Sequence, residues 1–444
     1  MEREDPVRAE VGAQQSSPSS GAPGSEEASS LGATGSVWRL LTSRTAKQAV
    51  GFAGSGVAVN ALAVVSTAIL TRSLRTAEFG GYAFANSLLG LVALIFEFGL
   101  FAPAARLAAV TDGRDKREIV GAALVLYLPV GGAFSATVFV LSFWTDEWFN
   151  VDAGNALRVA APVAICFPFV YALQQLAQGL DRLHVASVTA VLAQLLLVTL
   201  LALLLVSHGD LSTSTALVVR SLSFLIALFY GALWLRPAFH EVPRWAREIV
   251  RQARKWGFHQ TLGRLFSIGT YNMDVLMLGL WATPRWVGLY VLAGSVASAS
   301  GLPVAGLSAA LFPRMARVRA IARSWLVAAI AVGATTSLFA WLLAEPLIRI
   351  FFSDRYVAAA SLVLPLVLAQ LIRGITTIFN TFLSAHGRGA QLRNAGMVLT
   401  FSNVVFNFAL IPPFGAQGAA WASLFALVAN FIAHVFFYRR FYSL

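Results

Sequence analysis

The sequence predicts an all-α polytopic membrane protein: about twelve transmembrane helices in two repeated six-helix lobes around a central cavity. Three observations carry that expectation: the composition, the recurrence of apolar runs, and a duplicated motif. Of the 444 residues, 57% are hydrophobic and 12% charged. A soluble domain carries about 25% charged residues, so this chain is built for lipid. Crossing a ~30 Å hydrocarbon core takes about 20 apolar residues. Runs of roughly that length fall at about 49–71, 81–101, 119–143, 158–180, 184–207 and 213–235, then at 257–281, 287–311, 322–343, 357–384, 394–412 and 416–438.

Residues 1–48 precede the first run. Up to residue 36 they are rich in Ser, Gly, Ala and Glu, with no apolar face to offset ordering entropy, and read as a disordered tail. Val37 to Lys47 sets Trp38, Leu40 and Leu41 among basic residues, which suits a short interfacial helix. No cleavable signal peptide is expected behind such a tail, so the run from residue 49 serves as the insertion signal. Residues 49–235 form a first six-helix lobe, 236–256 a connection, 257–438 a second lobe, and 439–444 a short tail. In the connection, Trp245, Ile249, Gln252 and Trp256 follow helical spacing while Arg247, Arg251 and Arg254 take another face, so it reads as an amphipathic helix at the membrane surface. A solvated charge run is the plainer alternative. Pro129 with Gly131 and Gly132, Pro162, Pro168, Pro303 and Pro365 interrupt spans and read as kinks.

The two lobes read as a duplication. Gly80-Gly81-Tyr82-Ala83-Phe84-Ala85-Asn86-Ser87 and Gly288-Leu289-Tyr290-Val291-Leu292-Ala293-Gly294-Ser295 share G-x-Y-x-x-A-x-S at an offset of 208. Gln178-Gly179-Leu180-Asp181-Arg182 and Ser384-Ala385-His386-Gly387-Arg388 end the fourth spans, with their arginines 206 apart. Six spans per repeat is an even number, so both halves insert the same way round, about an axis along the membrane normal. Transporters of this build bind substrate between the repeats.

The formal charge of +12 is mainly topological. With a cytoplasmic N-terminus, about 22 Lys and Arg residues, counted from Arg39 onward, fall on inside segments and five, Arg72, Arg75, Arg285, Arg349 and Arg355, on outside ones. That bias places both termini and the 236–256 connection in the cytoplasm of a multi-pass cell-membrane protein, and argues against nucleic acid as a partner.

Charges deep inside the spans are the clue to function. Four arginines lie there, Arg158, Arg220, Arg264 and Arg373, against two acids, Glu97 and Asp274. A charge in hydrocarbon costs several kcal/mol, so such residues face protein or water and mark a substrate or ion path. A net cationic interior suits an anionic substrate. Arg158 sits near a boundary, where snorkelling explains it equally well. On span seven Gln260, Arg264, Ser267, Tyr271 and Asp274 fall within about 80° at ~100° per residue. Tyr82, Asn86, Gly90 and Glu97 share a strip on span two. Span four contributes Tyr171, Gln174, Gln175 and Gln178, span ten Arg373, Thr377, Asn380 and Ser384, and span eleven Thr400, Asn403 and Asn407. Arg264, Arg373, Arg220, Asn380, Asn403, Asn407, Gln174, Asn86 and Tyr271 are therefore the candidate substrate-binding residues, and Asp274 and Glu97 the candidates for ion coupling. Interhelical hydrogen bonding, at ~0.6 kcal/mol each, is the alternative for the neutral polar residues; an ion pair with an arginine is the alternative for the two acids.

No enzyme site, metal or cofactor is expected. The sole cysteine, Cys166, lies within a span, the six histidines lack ligand spacing, and there is no Gly-rich phosphate loop. The outside loops, such as Thr145 to Gly154, are too short to house catalysis. A non-transporting scaffold would leave the polar stripes without a purpose.

Several stretches resemble the polysaccharide-transporter, or oligosaccharide-flippase, family of the multidrug/oligosaccharidyl-lipid/polysaccharide exporter superfamily. Residues 403–420, NVVFNFALIPPFGAQGAA, look like its N-x-x-x-N-x-x-L-I-P-x-x-G-x-x-G-A-A hairpin between the last two helices. Thr71-Arg72 with Glu78-Phe79-Gly80-Gly81-Tyr82 is similar to its first outside loop, and Asp274 with Val287-Gly288-Leu289-Tyr290 to its seventh and eighth helices. The resemblance spans about residues 45–438. It implies a two-lobed, twelve-helix flippase that carries a polyprenyl-diphosphate-linked oligosaccharide from the cytoplasmic to the outer leaflet by alternating access, for cell-surface polysaccharide synthesis. Its partners would be that lipid-linked anionic glycan, membrane lipids, and a polysaccharide polymerase or glycosyltransferases. Guanidinium groups suit a diphosphate through paired, charge-assisted hydrogen bonds. The alternatives are a multidrug-and-toxin exporter of the same superfamily, expected to show acids in its cavity, and a lipid II-type flippase, which usually has two more helices.

Overall fold

The computed structural model describes residues 44–208, 210–257, 270–315 and 317–442. The N-terminal tail, Arg264, and the side chains of Trp256 and Tyr271 lie outside them. The chain divides into residues 1–50 and a body, residues 51–444. The first lobe of the body contains α1 (Arg44–Ser73, entering from the preceding unit), α2 (Thr76–Ile95), α3 (Phe101–Val110), α4 (Gly113–Leu141), α5 (Gly154–Ala160), α6 (Cys166–Gly179), α7 (Leu183–His208) and α8 (Thr213–Trp234). Helix α9 (Val242–Gln252) and a π turn (Ala253–Gly257) form the connection. The second lobe contains α10 (Thr270–Trp281), α11 (Pro284–Met315), α12 (Arg323–Leu342), α13 (Ala360–Ala385) and α14 (Gly389–Tyr442).

Among the described residues nine helices are long and apolar enough to cross a membrane. The twelve spans follow from three local events. Helix α14 is two spans: at Gly415 the backbone turns to φ 55°, ψ −131°, a left-handed conformation that glycine adopts without a Cβ penalty. Its arms, 389–414 and 416–442, run antiparallel, and Asn430 midway along the second donates to the Ala395 carbonyl near the start of the first at 2.8 Å. Span four is broken into α5 and α6 around Pro162. In lipid a broken helix must have its freed carbonyls satisfied internally, and Tyr127 of α4 donates to Ile165 in the break. Span seven is described only from α10 onward. Pro129 and Pro365, in contrast, sit inside continuous helices.

Span two, too, departs from the sequence expectation. The second span starts at Thr76 and ends at Ile95, so Glu97 lies beyond it. The apolar stretch that follows forms a separate short helix, α3, packed against α4 and α6. Connection helix α9 buries Trp245 (9% exposed) and Ile249 (0%), while Arg247 and Arg251 stay exposed. Its start is fastened to α4 by Glu118, whose carboxylate accepts from the His240 and Glu241 backbone at 2.8 and 3.0 Å.

The lobes meet chiefly along α2 and α11, the two helices that carry the repeated motif. Its leading glycines lie together at the crossing. A Cβ on Gly80 would come within 1.7 Å of the Pro284 carbonyl oxygen, and one on Gly288 within 3.1 Å of the Gly80 nitrogen. The duplicated glycine is thus the contact that lets two pseudo-equivalent helices touch backbone to backbone. Around it, this end of the bundle is sealed between lobes. Arg72 donates to the carbonyls of Phe351 (3.1 Å) and Ile350, Tyr356 donates to Leu74 (3.4 Å), and Asn150 bonds Gly279 and Leu280 at 2.8 and 3.0 Å. Phe79 meets the fully buried Tyr356 edge-on at 5.7 Å.

Candidate functional site

Two cavities open where the lobes face each other, each lined mainly by one lobe and completed by an asparagine of the other. The first, about 210 Å³, is bounded by Asn86 of α2, Phe167 and Tyr171 of α6, Arg220 and Phe224 of α8, and Asn272 of α10. The second, about 300 Å³, is bounded by Ser298 and Gly301 of α11, Gln370, Arg373 and Thr377 of α13, and Asn60 of α1. Each therefore holds one arginine with neutral hydrogen-bonding side chains. The Arg220 guanidinium lies over the Phe224 ring at 4.9 Å, a cation–π contact that holds the charge without neutralising it. Its Nε and the Asn86 Oδ1 are buried without a hydrogen-bond partner among the described residues.

The other candidates disperse. Gln174 faces a third cavity of about 240 Å³ inside the first lobe, with Asn60, Ser187 and Thr189. Asn380 contacts the His434 ring at 3.3 Å. Glu97 is buried (1% exposed) and accepts from Gln175. Arg158 lies over Phe143 at 4.1 Å, near the sealed end. Arg264 and the Tyr271 side chain fall outside the described residues.

Asp274 gathers the most organised polar cluster. Its Oδ1 accepts from the amides of Asn403 and Asn407, both at 2.7 Å, and its Oδ2 from the hydroxyls of Ser423 (2.6 Å) and Tyr290 (3.0 Å). An ionised carboxylate offers about four lone-pair sites, and all are taken by neutral donors from α11 and both arms of α14. Asn403 and Asn407 reach it together because they are one helical turn apart. The cluster is buried, with Asp274 7% exposed, and the Asn407 Oδ1 has no hydrogen-bond partner among the described residues. Near the equivalent place in the first lobe, at offsets of 208 and 209, stand Ser66 and Gln194, bonded at 2.8 Å. Duplication therefore placed polar pairs in both lobes, and a carboxylate in only one.

Asn60, Asn272, Gln370 and Ser423 belong to none of the stripes read from the sequence, where Tyr290 entered only through the repeated and family motifs. Asn272 falls outside the 80° arc of the span-seven stripe. Asn60 is an isolated amide in α1, a signal available but unaccompanied by a stripe.

Two lobes of six spans, sealed across one end and bearing polar cavities at their interface, define a polytopic transporter fold. The chain belongs to the polysaccharide biosynthesis protein family, whose profile matches residues 46–319. The probable low-salt glycan biosynthesis flippase Agl15 of Haloferax volcanii is 22% identical over 391 residues, 84% of this chain and 79% of that protein. The lipid II flippase MurJ, in an inward closed conformation, shares the fold at a TM-score of 0.67 and 13% identity over 87% of each chain. An inward-facing multidrug resistance MATE family transporter of the MOP superfamily shares it at 0.69 and 15% identity, covering 86% of this chain and 96% of that one.

Proposed function

We propose that this protein is a flippase that moves a polyprenyl-diphosphate-linked oligosaccharide from the cytoplasmic to the outer leaflet. The observation that carries the reading is the pair of interlobe cavities, each presenting one arginine among neutral hydrogen-bonding groups. Guanidinium groups bind phosphate oxygens in pairs, and amides and aromatic rings suit sugar hydroxyls and ring faces. Family membership and the names of the Haloferax and lipid II relatives support the same substrate class. Arg264 and Arg373 are assigned to the diphosphate, and Arg220, Asn86 and Asn272 to the glycan side. The positive-inside bias orients the Arg182 and Arg314 ends in the cytoplasm, so the end sealed by Gly80, Arg72 and Tyr356 faces outward. Depleting the protein in its own cell should trap lipid-linked oligosaccharide in the cytoplasmic leaflet while its synthesis continues. Normal surface glycan after depletion would rule the reading out.

Asp274 is assigned to ion coupling, ahead of Glu97. Its carboxylate ties α10 to α11 and α14, so a change in its protonation or ion occupancy would alter their packing and bias one conformation. The hydroxyls of Tyr290 and Ser423 can donate or accept, which allows the cluster to hold either protonation state. Reconstituted protein should lose flipping when the driving gradient is collapsed, and Asp274→Asn should become insensitive to it. Transport that runs equally well with no gradient would leave Asp274 a structural residue.

A further inference from the structure

Among the described residues, a dense cluster of charge outside the interlobe cavities lies on the connection. Helix α9 and the π turn after it bring Arg247, Arg251, Arg254 and Lys255 to one side. Between these cations and Ala246, Val250 and Leu126 of α4 is a groove of about 630 Å³. Its floor is apolar and its rim cationic. Glu248 pairs with Arg251 at 2.6 Å, and Arg247 donates to the Pro243 carbonyl at 3.0 Å, so the cluster keeps a net positive charge. The groove is on the perimeter of the body. Val125 and Leu128, flanking Leu126 on α4, are 38% and 63% exposed apolar side chains, as expected of a helix surface that meets acyl chains. The opposite face of α9 is already committed, through buried Trp245 and Ile249, to the first lobe.

We infer that this groove is a binding site for the phosphate of an anionic phospholipid, with the headgroup held by Arg247, Arg254 and Lys255 and an acyl chain lying along Leu126 of α4. A cationic rim over an apolar floor at the membrane surface matches that molecule in both parts. Clusters of basic residues on an interfacial helix gain about 1 kcal/mol per residue from anionic lipid, which amounts to roughly a 100-fold preference for three cations. The groove is separate from the interlobe cavities, and its occupancy by lipid does not depend on what they carry.

The test uses the purified full-length protein, with lipid binding followed by native mass spectrometry and thermal unfolding. Phosphatidylglycerol should bind and stabilise the wild type in preference to phosphatidylcholine of the same chains. The triple variant Arg247→Gln/Arg254→Gln/Lys255→Gln should weaken that preference by roughly 100-fold. The charge-keeping variant Arg247→Lys/Arg254→Lys should retain most of it, which separates lost binding from lost folding. Glycerol 3-phosphate alone should bind far more weakly than the lipid. Equal binding of the two lipids by the wild type, an undiminished preference in the triple variant, or binding of glycerol 3-phosphate as tight as that of the lipid would each overturn the assignment.

Discussion

Replacing Arg373 by alanine, singly or with Arg264→Ala, is expected to abolish glycan export while leaving the protein in the membrane at its normal level. Arg373 lines the cavity completed by Asn60, where it has Gln370 and Thr377 for neighbours. A hydrogen bond to a charged group contributes about 1.5–3 kcal/mol, so losing a guanidinium from a diphosphate site costs at least tenfold in binding and more where two oxygens are held at once. Lysine should rescue partly, because it keeps the charge but loses the planar, paired geometry. The readout is surface polysaccharide in cells together with the amount of protein in membranes. Normal export with alanine at both positions would remove these arginines from the substrate path.

The second large effect is expected at the duplicated glycine. With a Cβ 1.7 Å from the Pro284 oxygen, Gly80→Val cannot close the sealed end as it stands. Both partners at that contact are backbone, so neither can rotate aside. Overpacking costs about 1–3 kcal/mol, enough to shift the closed population by roughly 5- to 150-fold. Transport, which must pass through this state, should fall by a comparable factor. Gly294→Ala is the control, since nothing lies within 4 Å of its Cβ position on α11, the partner helix at the crossing. Spin labels at the exposed positions Arg75 and Asp354, across the seal, should report a longer distance in Gly80→Val and an unchanged one in Gly294→Ala. An unchanged distance with full transport in the valine variant would show that the contact is not a gate.

Much of the fold was legible because lipid leaves so few options. A spanning segment must be apolar for about 20 residues and satisfy its own backbone, and that signal stands out at every span. It says less about breaks. The 158–180 run reads as one segment because Pro162 and its neighbours are as apolar as a helix interior, and only the Tyr127 bond to Ile165 shows how the break is tolerated. Helix α3 was hidden for the opposite reason: Phe101–Val110 is apolar but too short to span, and it merges in sequence with the end of span two. The repeat was visible as a motif, yet its purpose was not, since Gly80 and Gly288 acquire meaning only where the helices cross. Helical stripes pick out Asp274, Asn403 and Asn407 separately and suggest different roles for them. The structure joins them, because convergence of several helices on one carboxylate is not a property of any one stripe. Ser423 shares a helical strip with Asn430 and His434, a periodic signal not drawn on among the stripes, and Tyr290 is a single hydroxyl marked only by its place in the repeated and family motifs.

The balance of buried charge bears directly on the rival reading as an organic-cation exporter. The interlobe cavities hold Arg220 and Arg373, whereas the acids Asp274 and Glu97 are 7% and 1% exposed. Purified protein in proteoliposomes, offered a diphosphate-linked glycan, its polyprenol-linked neutral counterpart and a lipophilic organic cation, discriminates between the two. Translocation of the diphosphate-linked glycan alone, lost in the Arg264→Ala/Arg373→Ala variant, is the expected result; transport of the cation, with the lipid-linked glycan left in its original leaflet, would contradict it.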